Sequence, residues 1–406
     1  MKILYLAPLL PAPSGSGGKR AIYNHLKGLL EEDAEITAFF VDVEAVEIPD
    51  LRAFARLNPQ VFNRAVAKFG DGWKGKTAAI STLLFSNLPR SLAVVAAPPA
   101  RARIAAALAQ GEYDAVIVDH LNAFSLIRGL KLTIPVVYVA HNVESEVLRQ
   151  AAVRLPKWSM RRLAADLDHA RMRRVEREML TVATTVAVIG AGDMTHPALS
   201  SFTGKLVVWP ELPQLKIPLW SNPKSKKLLF VGSAKYFPNK DAIAWLVDTL
   251  MPALIFVDSA ITLDIAGTRA DELQLDDNPP GVTFHGFVSD ARLDELHREA
   301  NLFICPVVLG AGIKIKMLEA ASYGLPSAAT EESLLGIDFL TSLALRIDRN
   351  TPYEAASKIA AAFRDQEALG RISVAGASAL TETISMRASL LDYVRAADVG
   401  SRSHLG

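Results

Sequence analysis

Cysteine is nearly absent from this chain: Cys305 is its one thiol, so no internal disulfide can form. It stands in the apolar run Leu302-Phe303-Ile304-Cys305, which reads as a buried core thiol in a reducing compartment. An excess of one charge is missing too. Lys and Arg number 44 against 43 Asp and Glu, which removes the global basic field that would attract nucleic acid. No run approaches the roughly 18 consecutive apolar residues that would span a bilayer. The first apolar run, Met1 to Ala7, is too short for a signal segment and is at once interrupted by proline, so a first buried strand and a cytoplasmic protein are expected. Metal signatures are lacking as well. There is no Asp-x-Asp triplet near a strand end and no His/Cys group at ligand spacing, so no catalytic metal is expected.

What the chain does have is apolar content, 50% of 406 residues, enough for two domains with separate cores. Short apolar runs alternate with helical patterns, which predicts parallel sheets covered by helices on both faces. In the first half the expected strands are Lys2 to Leu10, Glu35 to Asp42, Ala115 to Asp119, Val136 to Ala140 and Thr185 to Ile189. A polar, proline-bearing stretch at 211–226 marks a boundary, after which the pattern restarts. Strands are then expected at Lys227 to Val231, Ile261 to Ala266, Val282 to Phe284, Leu302 to Pro306 and Ser327 to Thr330, with helices near 240–255, 290–299 and 314–323. The reading is an α/β chain of two Rossmann-like domains facing across a central cleft. Residues 1–215 form the first, with a helical, loop-broken insertion near 50–110, and 216–380 the second. Residues 381–406 supply a helix, Ser385 to Ala397, expected to pack back on the first domain, and then a short tail.

One segment stands out chemically: Gly310-Ala311-Gly312-Ile313-Lys314-Ile315-Lys316-Met317-Leu318-Glu319. It leaves a strand, passes two glycines and enters a helix. Glycines let backbone approach a phosphate, the helix start offers unpaired N–H groups, and lysines add charge. Glu319 is placed to accept hydrogen bonds from ribose hydroxyls. An ordinary strand-loop-helix with solvated lysines would have the same spacing, so spacing alone does not decide the function. In the first half, Gly15-Ser16-Gly17-Gly18 follows the first strand, but position 20 is Arg20, so the dinucleotide fingerprint of a dehydrogenase is incomplete. His141 stands at the carboxyl end of a predicted strand beside Asn142 and Glu144. From Arg149 to Arg177 nine basic residues face three acidic ones, with Leu155 and Trp158 interleaved. Such a stretch suits an anionic membrane surface or a lipid-pyrophosphate acceptor, and equally a solvated helix.

The Gly-x-Gly-x-Lys-x-Lys-x-Leu-Glu-Ala pattern resembles the donor loop of family 4 retaining glycosyltransferases of the GT-B fold. So do Val231-Gly232-Ser233 followed by Pro238-Asn239-Lys240, and Gly286-Phe287-Val288. The resemblance implies a nucleotide-diphosphate sugar, UDP- or GDP-linked, as co-substrate, no further cofactor, and a glycan or lipid-linked acceptor in cell-surface polysaccharide or glycolipid synthesis. It assigns the diphosphate to Gly17, Gly18, Gly232, Ser233, Gly310, Ala311, Gly312, Ile313 and Lys314, and the ribose to Glu319. The base falls to Val288, with Phe287 packing beneath. His141, Lys240 and Lys316 are expected to be catalytic, with Asp119, Asn142 and Glu144 on the acceptor side. The family often has a glutamate where this chain has Ala311, which excludes a double displacement through that position and favours a same-face reaction. Two other readings stay open: a nucleotide-sugar epimerase of the same architecture, and a sugar-nucleotide binding protein without turnover.

Overall fold

The computed structural model describes residues 1–12, 17–42, 56–63, 86–111, 113–209, 213, 215–223, 225–273, 279–310, 313–385 and 391–395. The chain divides into two compact units, Met1–Pro210 with Ala388–Gly406, and Glu211–Arg387.

The first unit is built on a seven-stranded sheet. Its strands are β1 (Lys2–Ala7), β2 (Glu35–Asp42), β3 (Leu57–Asn63), β4 (Ala115–Asp119), β5 (Val136–Ala140), β6 (Thr185–Val188) and β7 (Lys205–Val208). They lie in the order β3-β2-β1-β4-β5-β6-β7, every pair parallel. Alternate residues of one strand enter different cores. Ile3, Tyr5 and Ala7 pack with Ile22, Leu26 and Leu29 of the helix Gly17–Glu31, while Leu4 and Leu6 join the core that contains Met172, Val175 and Met179 of the helix Met160–Val182. Burial on both faces explains why these strands read as continuous apolar runs rather than as alternating ones. Leu391 and Val394, near the carboxyl end, enter the same core as Ile3.

The second unit has six strands: β8 (Lys227–Val231), β9 (Thr262–Ala266), β10 (Val282–Gly286), β11 (Leu302–Cys305), β12 (Ser327–Ala329) and β13 (Leu345–Arg346). Their order is β10-β9-β8-β11-β12-β13, again all parallel. Each sheet reverses its strand order at one place, between β1 and β4 in the first and between β8 and β11 in the second. At such a point the neighbouring crossovers run to opposite faces and leave a crevice outside the carboxyl ends of the strands.

Several expectations need correction. Part of the stretch read as helical near 50–110 is β3, which pairs with β2 along its whole length. Its Pro59 hid it, yet proline is tolerated on an edge strand because one side of the backbone has no partner to satisfy. Phe62 stacks on Phe39 with ring centroids 5.8 Å apart. Other aromatics of that stretch, Phe54, Trp73 and Phe85, lie outside the described residues. The helix expected near 240–255 is three pieces: Phe237–Trp245, a π-helical turn Leu246–Leu250, and Met251–Val257. Pro252 has no N–H for the carbonyl of Asp248, and the wider turn precedes it. The polar stretch after β7 is anchored to the second unit. Lys216 N–H donates to the Ser322 carbonyl at 2.8 Å, and the Trp220 indole donates to the Ala300 carbonyl at 2.7 Å. Among the described residues no helix is long and apolar enough to cross a membrane.

Candidate functional site

In the second unit the chain crosses the carboxyl ends of β8 and β11 on glycines. Gly267 has φ +147°, and a Cβ there would stand 2.2 Å from the Gly232 carbonyl oxygen, so the two backbones are in direct contact. A Cβ on Gly232 would come within 2.8 Å of both Asn239 Cγ and Lys316 Nζ. Gly310 has φ +83°, a left-handed conformation that suits glycine. These glycines keep side chains away from the carboxyl ends of the strands, and the amides of Gly232 and Gly267 themselves donate to the Ala266 and Gly286 carbonyls at 2.8 and 2.7 Å.

Lys316 is held at this place. Its ammonium donates to Asn239 Oδ1 at 2.5 Å and lies 4.3 Å from the centroid of the Phe230 ring. Asn239 in turn donates from Nδ2 to the Ser233 carbonyl at 3.0 Å, so one amide side chain ties the lysine to the Gly232-Ser233 turn. Burial pushes the Lys316 ammonium down to about 8. A cation that has lost solvent in this way gains more than a surface lysine from an anion placed beside it.

The other expected donor residues divide. Glu319 is buried, 8% exposed, on the helix Ile315–Ser322 that begins at this site. Ser233 Oγ accepts from the Lys235 amide at 3.3 Å. The Lys314 ammonium donates to the Gly310 carbonyl of its own loop at 3.0 Å. Ile313 packs against the core of the unit. Lys240 is exposed in the first turn of the helix Phe237–Trp245. Val288 is half-buried, whereas Phe287, expected to pack beneath a base, is 71% exposed. The residue before it, Gly286, has φ +59°. Ala311 and Gly312 lie outside the described residues. Sequence reading missed Asn239 as a partner of Lys316, and Gly267. The signal for Gly267 was a glycine directly after a strand.

In the first unit, polar side chains gather at the carboxyl ends of β4 and β5. Asp119 is fully buried. It accepts from the Tyr5 hydroxyl, and its oxygens lie 2.7 Å from His25 Nδ1 and 2.5 Å from His141 Nε2. Burial alone would raise the Asp119 pKa, but the charges and hydrogen bonds of the two imidazoles outweigh it and hold the carboxyl well below the usual range. An acceptor-side contact for Asp119 is thereby corrected: the carboxylate lies beneath His141 and fixes its ring orientation, as carboxylates beside working histidines do. His25, from the helix Gly17–Glu31, was missed because nothing local marks it. The next residue, His120, has φ +77°, strained for a side chain with a Cβ, and burial lowers its pKa. Its Nε2 is 3.4 Å from Glu144 Oε1, so Glu144 has a protein partner. Asn142 is half-buried. Gly17 opens the helix Gly17–Glu31, and a Cβ on Gly18 would make only an ordinary contact with Leu9, at 3.5 Å. Ligand atoms of His25, Asp119 and His141 lie within 4.8 Å of one another, within reach of a metal ion. Both carboxylate oxygens already take imidazole N–H groups, so ligation would first require those protons to leave.

Two doubly wound parallel sheets, each with polar groups at its switch point, define the GT-B class of glycosyltransferase folds. Comparison with known proteins agrees. Residues 225–365 match the family described as glycosyltransferases group 1. Among solved structures, sucrose-phosphate synthase from Thermosynechococcus elongatus is similar, with a TM-score of 0.67 at 15% identity over 94% of each chain. HepE of Anabaena, solved with UDP and glucose, gives 0.61 at 14% identity over 100% of this chain and 99% of its own. TarM of S. aureus, solved with Fondaparinux, alpha-GlcNAc-glycerol and UDP, gives 0.64 at 11% identity over 98% and 99%. No curated protein matches the chain by sequence.

Proposed function

We propose that this protein is a retaining glycosyltransferase that moves a sugar from a nucleotide-diphosphate sugar to a glycan or lipid-linked acceptor, in the synthesis of cell-surface polysaccharide or glycolipid. The observation that carries the reading is the Lys316 ammonium, desolvated and tied by Asn239 to the Gly232-Ser233 turn, at the switch point of a sheet in the unit that matches the glycosyltransferase family. UDP and GDP remain the donor nucleotides of choice, and the UDP bound by HepE and by TarM favours the first.

In this scheme the diphosphate lies on the amides around Gly232 and Gly310, and Glu319 takes the ribose hydroxyls. As the glycosidic bond breaks, charge develops on the leaving phosphate, and Lys316 and the loop amides stabilise it without a metal ion. Ala311 offers no carboxylate, so the acceptor attacks on the face the diphosphate leaves, and a phosphate oxygen takes the acceptor proton. His141, oriented by Asp119, serves the reacting sugar, so that His141→Ala slows turnover more than it weakens donor binding. The site is tested by a crystal soaked with UDP or GDP. Phosphate density beside Gly232 and Lys316 with the ribose at Glu319 supports the assignment, and a nucleotide bound elsewhere overturns it.

A further inference from the structure

The basic stretch after β5 folds as two helices, Glu144–Val153 and Met160–Val182, joined by a short turn. The pair is pinned at depth. His169 Nδ1 lies 2.9 Å from the Ser145 carbonyl, and buried Glu176 accepts from the Ser145 amide at 3.0 Å. The buried stripe of the second helix is Asp168, Met172, Val175, Glu176, Met179 and Leu180, all past its second turn. The first turns present a different stripe. Met160, Leu163 and Leu167, at spacings of three and four, are 79%, 63% and 38% exposed. Trp158 in the turn is 99% exposed, and Val153 is 50% exposed.

Charge accompanies this apolar surface. From Val153 to Ala165 the sequence has Arg154, Lys157, Arg161 and Arg162 and no acidic residue. Arg162 is satisfied by Asp166 at 2.8 Å, while Lys157 and Arg161 are exposed beside Trp158 and Met160. An exposed indole and methionine, each next in sequence to an exposed cation, suit a segment that inserts apolar side chains among lipid tails and sets its cations against anionic headgroups.

We propose that the turn at 154–159 and the first two turns of the helix Met160–Val182 dock on an anionic lipid bilayer. A second copy of the chain is a poorer occupant. A two-fold contact would set each basic cluster against its own image, and the one acidic residue of the patch, Asp166, is already paired with Arg162. The proposal stands apart from the transferase reading, since docking needs neither donor nor acceptor.

The test is cosedimentation of the full chain with sucrose-loaded vesicles of phosphatidylcholine alone and of phosphatidylcholine mixed with phosphatidylglycerol. The expected result is retention on the anionic vesicles that weakens as salt rises, and little on the neutral ones. Lys157→Glu with Arg161→Glu changes the local charge by four units and should reduce the partition coefficient on the order of 1000-fold. Trp158→Ala with Leu163→Ser should reduce retention while keeping its salt dependence. All four side chains are solvent-facing, and unchanged circular dichroism of the variants verifies the fold. Equal retention of wild type and both variants overturns the proposal, as does no retention at all. A dimer in sedimentation equilibrium that Trp158→Ala abolishes, without vesicle binding, overturns it in favour of a second copy.

Discussion

Raising the pH should weaken nucleotide binding through one side chain, Lys316. Its ammonium titrates at about 8 in the free protein, because burial disfavours the charge. A diphosphate beside Nζ restores a counter-charge, so in the complex the lysine holds its proton to higher pH. Between those two values each bound nucleotide takes up a proton. Affinity then falls by up to about tenfold per pH unit above 8, and by about tenfold in total between pH 7 and 9. The phosphate does not confound this, since its last proton leaves near about 6. Unfolding does not either. A lysine whose pKa is lowered by folding makes the folded state relatively more stable as pH rises from about 8 towards its ordinary 10.5, where the unfolded chain binds more protons. Isothermal titration of UDP and GDP at several pH values measures the slope. Lys316→Met should bind weakly with a flat profile, and Asn239→Asp, which sets a carboxylate against Nζ, should move the break to higher pH. A constant wild-type Kd through pH 9, or the same slope in Lys316→Met, would refute the placement of the diphosphate.

Glu319→Ala should lower nucleotide affinity by about 100-fold or more, the loss of two hydrogen bonds to a charged acceptor at about 1.5–3 kcal/mol each, and wild-type affinity in that variant would remove the ribose assignment. Gly267→Ala puts a methyl 2.2 Å from the Gly232 carbonyl at a φ of +147° and should destabilise the second unit by about 2–4 kcal/mol. Urea unfolding checks it, and an unchanged midpoint contradicts the close approach. Asp119→Asn should lower thermal stability at neutral pH and slow turnover. A carboxyl whose pKa is depressed by folding stabilises above its ordinary 3.8 and loses that contribution as pH falls further. The variant's acid-unfolding curve should therefore be flatter below pH 3.8 than that of the wild type.

Where a feature is local in sequence, reading the residues reached it. The two-sided burial of β1, β4, β5, β8 and β11 is written in unbroken apolar runs, and Gly310 marks the left-handed turn ahead of the helix that bears Lys316. Features that depend on distant residues meeting were not legible. His25 is 94 positions from Asp119, and its place on the helix Gly17–Glu31 looks like any helical histidine until the helix is laid over the sheet. Asn239 and Lys316 are separated by 77 residues. The strand Leu57–Asn63 was concealed by a proline that only an edge position tolerates. For Lys314, sequence gives charge but not direction, and the ammonium donates to a carbonyl of its own loop.

Incubation with radiolabelled UDP- and GDP-sugars in the absence of acceptor tests the central claim most directly. Slow release of free sugar and nucleoside diphosphate, lost in Lys316→Met, is the result expected of a transferase whose bound water stands in for the missing acceptor. Conversion of the donor to an epimer, or tight binding of the whole panel with no turnover, would contradict it.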